Sequence, residues 1–290
     1  MNRLLTGLLA IFLLFPVFGQ VKKHKKKNST AAGTLFFYWG YNHSGYTKSD
    51  IRFVGSNYDF TLKGVSAVDR QDPFDTKVYL NPTTITVPQF NARIGYYFKD
   101  KWAISFGNDH YKYVMQNNNK VLLDGFIAQG VDANWSGNYN NEPVTTNSDN
   151  FHYENTNGLN FLRVELMRSF NIWEAGSARQ FALTGNLGAG IGPMLTYNDL
   201  NFAGTHTFAT PSISGYGIGL NGSLRMEFFR HFFFQLETGT GFVHLTHVRT
   251  RPDDRNQYAK QRLGFVSGFA AIGGIFYLRP KNGCDSCPQW

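Results

Sequence analysis

Residues 215–242, GYGIGLNGSLRMEFFRHFFFQLETGTGF, contain two alternating stretches separated by Arg230 and His231. In the first stretch, apolar residues occupy the even positions from Tyr216 to Phe228, except for a glycine at 222, and small, polar or charged residues lie between them. In the second stretch, one face carries Phe232, Phe234, Leu236 and Phe242 together with two threonines. This period of two is that of a β-strand, because successive side chains point to opposite faces. The stretch therefore predicts two long β-strands joined by a tight turn at Arg230 and His231.

The character of the two faces indicates a membrane barrel. The apolar face is broad and aromatic, whereas the opposite face is rich in glycine and carries unlike charges such as Arg225 and Glu227. A lipid-facing apolar outside and a polar inside are typical of transmembrane β-barrels. The 16% aromatic content and the 30 glycines agree with aromatic girdles and small lumen residues.

The amino terminus, residues 1–19, predicts a secretory signal peptide. Arg3 supplies the positive start, an apolar core runs to Phe18, and Gly19 is a small residue suited to cleavage. The alternative is a membrane-anchoring helix, but the apolar stretch is short for a span of about 20 residues.

A basic leader, residues 20–33, follows the signal and carries five lysines between positions 22 and 27. Without these lysines and Arg3, the formal net charge of +8 falls to +2, so the basic character is local. After a secretory signal such a run does not indicate nucleic acid. It predicts a solvated, disordered segment, with contact to anionic lipid headgroups or the cell wall as the alternative.

Eight alternating segments predict an all-β, antiparallel up-and-down barrel over residues 34–279. The segments are 34–46, 89–98, 102–115, 160–173, 180–197, the two strands of 216–242, and 262–278. Their connections alternate between short ones (99–101, 174–179, 230–231) and long ones (46–87, 116–158, 198–211, 248–261). Short periplasmic turns and long external loops then predict an even strand number with both termini in the periplasm.

Two further segments, 50–61 and 120–128, leave ten or twelve strands open as alternatives. Four charged residues suit a lipid-facing wall poorly: Arg52, Asp59, Lys63 and Asp124. We therefore expect both segments to lie above the membrane or to fold into the barrel mouth.

The pattern over residues 34–278 resembles the small outer-membrane barrels of the OmpA/OmpX type, at the level of architecture. The last strand ends Ile275-Phe276-Tyr277-Leu278, an aromatic close typical of barrel-assembly signals, with twelve residues after it. The resemblance implies the cell outer membrane of a Gram-negative bacterium. It also implies outer-membrane lipid, lipopolysaccharide and the barrel-assembly machinery as partners.

Six charged residues are predicted to face the lumen. They are Arg93, Arg163, Glu165, Arg225, Glu227 and Glu237. The interior of an eight-stranded barrel is only just wide enough for side chains, and unpaired charges there are costly. We expect the charges to pair with one another, Arg225 with Glu237 among them, and to form a plug. A gate in a narrow conduit and a pair of catalytic carboxylates are the alternatives.

Six cationic or histidine side chains are predicted at the outer ends of the strands. They are His43, His110, Lys112, His244, Lys260 and Arg262. Cations at this level suit the phosphates of lipopolysaccharide, through charge-assisted hydrogen bonds. The alternative is ordinary polar decoration of the interface.

No constellation predicts an enzyme, a cofactor or a metal. Lipid A deacylases of the outer membrane use a His-any-Ser arrangement, but His43 and Ser44 are adjacent and face opposite sides. Cys284 and Cys287, in a predicted periplasmic tail at 280–290, indicate a local disulfide in an oxidising compartment rather than a zinc site.

Function is predicted from the long loops 46–87 and 116–158. Both mix aromatic residues with polar ones, and the second is rich in asparagine. Loops on a rigid scaffold often carry binding, so we predict a structural or surface-binding role toward the envelope, an extracellular protein or a glycan. The alternatives are self-packing of the loops over the mouth, a narrow channel for small solutes or ions, and a lipid-modifying enzyme.

Overall fold

Thirteen strands and one short helix form the described part of the chain, which in this computed structural model comprises residues 28–71, 73–81, 83, 87–176 and 179–278. The strands are β1 (Thr34–Tyr46), β2 (Ser49–Gly55), β3 (Tyr58–Val65), β4 (Ala67–Val68), β5 (Phe90–Lys99), β6 (Trp102–Met115), β7 (Asn119–Ile127), β8 (Gly137–Thr146), β9 (His152–Ala175), β10 (Phe181–Phe202), β11 (Thr205–Phe228), β12 (Phe232–Arg249) and β13 (Tyr258–Tyr277). The helix α1 (Thr76–Tyr79) begins after Asp75, whose side chain accepts a hydrogen bond from the Lys77 amide.

Eight of these strands close into an antiparallel ring. The order is β1-β5-β6-β9-β10-β11-β12-β13, and β13 pairs back to β1 from Thr34↔Tyr277 to Tyr46↔Phe265. The predicted eight-stranded antiparallel barrel is thereby confirmed. The segments 50–61 and 120–128 do form strands, β2, β3 and β7, but they lie outside this ring.

The outward face of the ring is apolar on every strand. Exposed side chains on this face include Phe37, Ile94, Phe106, Leu166, Ile191, Leu220, Leu236 and Ile272. We call this surface the apolar band. A continuous belt of this kind is the surface that a barrel presents to lipid. A membrane-spanning helix is not found within the described ranges.

The strands extend well beyond the apolar band at the end with the long connections. β9 and β11 each have 24 residues, whereas about 9–11 are enough to cross a bilayer. The prediction of a loop at 198–211 is therefore wrong except for residues 203–204, and the loop predicted at 248–261 is shorter, at residues 250–257. β10 and β12 continue beyond their predicted ends because their inward faces become apolar, with Leu200, Phe202 and Val248 buried.

The connection between β11 and β12, residues 229–231, includes the predicted Arg230 and His231, and the two central residues of its turn are Phe229 and Arg230. Both residues have positive φ, 52° and 71°, and the His231 N–H donates to the Phe228 carbonyl at 3.2 Å. Positive φ at both central positions is the type I′ geometry, which matches the right-handed twist of the flanking strands.

The last residues of the predicted leader are ordered, which corrects the expectation of disorder for 28–33. Ser29 and Thr30 are buried. The Lys101 N–H donates to the Thr30 carbonyl at 2.7 Å, and the Ala32 N–H donates to Asp100 Oδ1 at 2.8 Å. Residues 28–33 pack on the turn between β5 and β6 because the two segments satisfy each other's polar groups. The signal peptide, the lysine run and the tail at 280–290 lie outside the described residues.

A second layer, which we call the cap, covers the end with the long connections and consists of β2, β3, β4, β7 and β8. β2 continues β1 along β13, β3 pairs with both β2 and β7, and β8 pairs with β7. The inner face of the cap is aromatic, and Phe53 and Phe60 pack on Phe151 and Phe202 with ring centroids 5.1–5.9 Å apart. The cap therefore closes over the ring with a core like that of a soluble protein.

Candidate functional site

The centre of the barrel holds a buried network of ion pairs. Arg93 Nη1 donates to Glu165 Oε2 and its Nη2 donates to Asp109 Oδ1, both at 2.6 Å. Arg163 Nη2 lies 2.9 Å from Glu165 Oε2 and 3.7 Å from Glu237 Oε1. The side chains of these five residues are at most 6% exposed. Buried charges are tolerated when partners surround them, and we call this set the lumen network.

Asp109 is the member of this network that the sequence-based prediction omits. It lies between the two arginines, with Oδ2 3.3 Å from Arg163 Nε. The alternation of β6 contains the signal, because Ala103, Ser105 and Gly107 precede Asp109 at intervals of two on the same face. A charge at the end of that series has to find a partner inside the barrel.

Two glycines of β10 make room for the lumen network. A Cβ at Gly190 would lie 2.6 Å from Arg163 Cγ, and one at Gly188 would lie 2.8 Å from the Glu165 carboxyl carbon. Gly188 and Gly190 are therefore a space requirement of the lumen.

Arg225 and Glu227 lie nearer the end with the short turns, apart from this network. The expectation that Arg225 pairs with Glu237 is wrong, because the register places Arg225 opposite Gln235. Arg225 Nε donates to Gln235 Oε1 at 2.8 Å. Its guanidinium also lies 4.1 Å from the ring centroid of Phe233, a cation–π contact.

Glu227 has partners that the sequence did not reveal. Thr184 Oγ1 donates to Glu227 Oε1 at 3.0 Å, and Arg179 Nη2 lies 3.9 Å from Oε2. Arg179 belongs to the connection between β9 and β10, whose geometry is not visible in a strand pattern.

An apolar layer lies directly beyond the lumen network on the cap side. Tyr111 and Phe161 stand two residues beyond Asp109 and two before Arg163 on their strands, and both are buried. Met194 and Phe265 complete this layer from β10 and β13, and the buried cluster continues into the cap. In the direction of the cap, the lumen is thus filled by the charged side chains of the lumen network and next by this apolar layer.

The six residues predicted to contact lipopolysaccharide fall into two groups. His43, Lys260 and Arg262 are exposed and His244 is half-buried, with Arg262 Nε donating to His244 Nε2 at 3.2 Å. The prediction is wrong for His110 and Lys112, which are 8% and 6% exposed.

His110 is covered by neighbouring side chains. Its ring stacks on Phe90 with centroids 5.3 Å apart, and Nδ1 lies 2.8 Å from Asn160 Oδ1. Beyond it on β6, Val114 pairs with Val68 of β4, so part of the 46–87 connection lies against this strand.

His43 and His244 each contact a partner other than a serine or threonine hydroxyl. His43 Nδ1 lies 3.1 Å from Asp69, whereas Ser44 Oγ donates to Asn42 Oδ1. His244 Nδ1 contacts the Tyr216 hydroxyl at 3.3 Å. Cys284 and Cys287 lie outside the described residues, so the disulfide stays a prediction. Within the described ranges, no group of three or more His, Cys, Asp or Glu could hold a metal ion.

The outer face of the cap carries a cleft of about 420 Å³ that the sequence did not predict. Its described lining consists of Lys48, Lys63, Gly64, Lys120, Val121, Leu122, Pro143, Val144 and Thr145. We call it the basic cleft. Its lysines come from three separate segments, and only the pairing of β3 with both β2 and β7 brings them together.

The comparisons with known proteins find similar structures but no similar sequences. No protein-family profile matches the chain, and no curated protein matches it. The outer membrane protein OprG from Pseudomonas aeruginosa is 11% identical with a TM-score of 0.38, and the match covers 86% of this chain and 98% of OprG. Ail, the attachment invasion locus protein of Yersinia pestis, is 14% identical with a TM-score of 0.32, over 84% of this chain and 99% of Ail. The outer membrane protease OmpT from Escherichia coli is 8% identical with a TM-score of 0.35, over 84% and 96%. The eight-stranded fold itself stands on the strand pairing.

Proposed function

We propose that this chain is an outer-membrane protein whose barrel is a closed scaffold and whose cap carries a surface-binding role. In this proposal the cap faces the outside of the cell and both chain termini lie in the periplasm. The observation that carries it is the filling of the lumen by two successive buried layers, the lumen network and the apolar layer beyond it. A lumen closed by charges and then by aromatic side chains leaves the cap as the part available to partners.

The apolar band supports the location in a membrane. Apolar side chains are exposed on all eight strands of the ring, and a soluble protein rarely exposes a contiguous apolar surface of this extent. For assembly we propose the aromatic end of β13 as the signal for the barrel-assembly machinery, with Phe276 exposed on the outer face.

The experiment that tests surface binding uses the full chain in nanodiscs, applied to arrays of neutral and anionic glycans and of extracellular proteins. We expect retention of at least one class, and loss of it when Leu122, exposed on the outer face of the cap, is changed to Asp. Lys99→Asp at the opposite end of the barrel is the control. No retention on either array contradicts a binding role toward these partner classes.

A narrow channel is the second candidate, and one observation favours it. Arg93 Nε and Glu165 Oε1 are buried without a hydrogen-bond partner among the described residues. Buried polar atoms of this kind are commonly satisfied by water, and a chain of waters would be the route for a small ion. Bilayer conductance separates this candidate from the closed scaffold.

We also propose that the chain has no hydrolase activity on lipid A. The hydroxyl of Ser44 donates to Asn42, whereas the ring of His43 contacts Asp69. Mass spectrometry of lipid A from cells with and without the protein tests this, and an acyl chain lost only in the presence of the protein contradicts it.

A further inference from the structure

The basic cleft concentrates positive charge on one side of the cap. Lys48 and Lys120 are exposed, and their ammonium groups form no hydrogen bond or ion pair with any residue that the structure describes. Lys63 is different, because its Nζ donates to Asp124 Oδ2 and to Asn141 Oδ1, both at 2.7 Å.

Two acidic side chains near the cleft are engaged locally. Asp124 is held by Lys63, and this hydrogen bond lowers the pKa of the Asp124 carboxyl. Asp50 Oδ1 accepts the N–H of Gly64 at 2.8 Å. The positive charges of Lys48 and Lys120 therefore remain available to an anion from outside.

The chemistry of the remaining lining narrows the class of ligand. The side chains beside the lysines are aliphatic or small, from Leu122, Pro143, Val144 and Thr145, and no described lining residue is aromatic. Sugars without charge are usually held by stacking on aromatic faces, which this cleft does not offer. Lysines beside aliphatic surface suit an amphiphilic anion.

The strand register places the cleft at the edge of the apolar band. Thr47 Oγ1 accepts a hydrogen bond from the Gly264 N–H at 2.9 Å. The next residue, Lys48, therefore lies close to β13 near Gly264. On the outer face of β13, Val266 is exposed and apolar, whereas Arg262 is exposed and charged. This change from apolar to charged marks the height of lipid headgroups.

We propose that the basic cleft binds a phosphate carried on the headgroup of an outer-leaflet lipid, with Lys48 and Lys120 as the ligating residues. The proposal rests on the proposed orientation of the cap toward the outside of the cell. It assigns lipid contact to a site distinct from the surface of His43, His244, Lys260 and Arg262. Lysine ammonium groups bind phosphate oxygens by charge-assisted hydrogen bonds. Lys63 has a structural part, because its hydrogen bond to Asp124 joins β3 to β7.

The test is native mass spectrometry of the full chain, folded in detergent, with bisphosphorylated lipid A as the probe. Dephosphorylated lipid A and inorganic phosphate are the comparison ligands. The variant is Lys48→Gln with Lys120→Gln, which retains Lys63 and its two hydrogen bonds. The matched control is Lys99→Gln with Lys101→Gln at a short turn, and Lys48→Arg with Lys120→Arg tests rescue.

We expect lipid A binding to weaken by at least about tenfold in the double Gln variant, since two hydrogen bonds to a charged group are lost. We expect no change in the control and retention in the Arg variant. Weak binding of inorganic phosphate identifies the lipid, and not free phosphate, as the ligand.

Three results overturn the proposal. They are equal binding of phosphorylated and dephosphorylated lipid A, unchanged binding in the double Gln variant, and Lys48- and Lys120-dependent binding of a soluble anionic glycan in preference to lipid A. If one of these results is obtained and the double Gln variant is still retained on the glycan or protein arrays, this proposal fails while the surface-binding role stands. A heat-modifiable band on a detergent gel establishes that each variant is folded.

Discussion

Arg93 on β5 donates a 2.6 Å hydrogen bond to Glu165 on β9, across the intervening strand β6. Both side chains are about 1% exposed. The pair joins two strands that share no backbone hydrogen bonds, so it braces the ring across its interior. With Asp109 and Arg163, it also occupies the space that a conduit would need.

Breaking this brace is expected to destabilise the barrel strongly. Arg93→Met leaves Asp109 and Glu165 buried with Arg163 as the remaining nearby cation, and removal of one partner from a buried ion pair costs about 3–5 kcal/mol. Urea unfolding in lipid vesicles, followed by the shift between compact and extended gel bands, measures the loss. Glu142→Gln, at an exposed site of the cap, is the control. Equal midpoints for Arg93→Met and the wild type would falsify the structural role of the lumen network.

The cap is expected to loosen without loss of the barrel when its aromatic core is truncated. Phe60 is 1% exposed and packs on Phe151 and Phe202, and Phe→Ala in a core costs about 3–5 kcal/mol. For Phe60→Ala we predict faster protease cleavage within residues 50–150 but a retained heat-modifiable band. Phe208→Ala, at an exposed site, serves as the control. A Phe60→Ala barrel that no longer forms the compact band contradicts the separation of cap and ring.

Gly95 is expected to tolerate no side chain, because Phe36 covers it inside the barrel. A Cβ at Gly95 would lie 2.1 Å from Phe36 Cζ, and overpacking of a core typically costs about 1–3 kcal/mol. We predict that Gly95→Ala lowers the urea midpoint. Gly268→Ala, where no atom lies within 4 Å of the added Cβ, should leave it unchanged. Equal midpoints for the two variants mean that Phe36 is free to move.

Arg251 is expected to hold the tip of the β10–β11 hairpin. Its Nη2 donates to the Phe202 carbonyl at 2.8 Å, and its Nη1 donates to the Leu200 carbonyl at 3.3 Å. Hydrogen bonds from a charged donor contribute about 1.5–3 kcal/mol, so Arg251→Met should accelerate protease cleavage near Ala203. Arg255→Met, in the same connection and exposed, provides the comparison. Identical cleavage rates in both variants contradict the clamp.

The alternation of residues was sufficient to predict the ring. It separates Phe37 from Tyr38 on β1 and Ile104 from Ser105 on β6, and it gives the correct face for each. The period of two holds within the apolar band because one face meets the apolar surroundings and the other meets the lumen. Beyond the band it is interrupted at bulges, such as the one between Met194 and Leu195. The strand ends were predicted less well, since Leu200 and Phe202 are apolar on the inward face where the pattern predicts a polar one.

The pairing of lumen charges could not be predicted from the alternation alone. Arg225 reaches Gln235 and the Phe233 ring because a turn at Phe229 and Arg230 fixes the register. A shift of two residues would have brought it opposite Glu237, and the sequence contains no signal that decides between these registers.

The basic cleft was also beyond the sequence. Lys48, Lys63 and Lys120 are separated by up to 72 positions, and each is an ordinary surface lysine in its own segment. Only the pairing of β3 with both β2 and β7 assembles them. Sites formed by long-range strand pairing carry no local motif.

Single-channel recording in planar bilayers is the most direct test of the closed scaffold. The protein, shown to be folded by its compact gel band, is incorporated at low density and recorded over a range of voltages. We predict no discrete openings in the wild type, because the lumen network and the apolar layer fill the barrel in succession. Stable unitary openings in the wild type, altered in size or ion selectivity by Glu165→Gln, would show that the lumen conducts and that the closed scaffold is wrong.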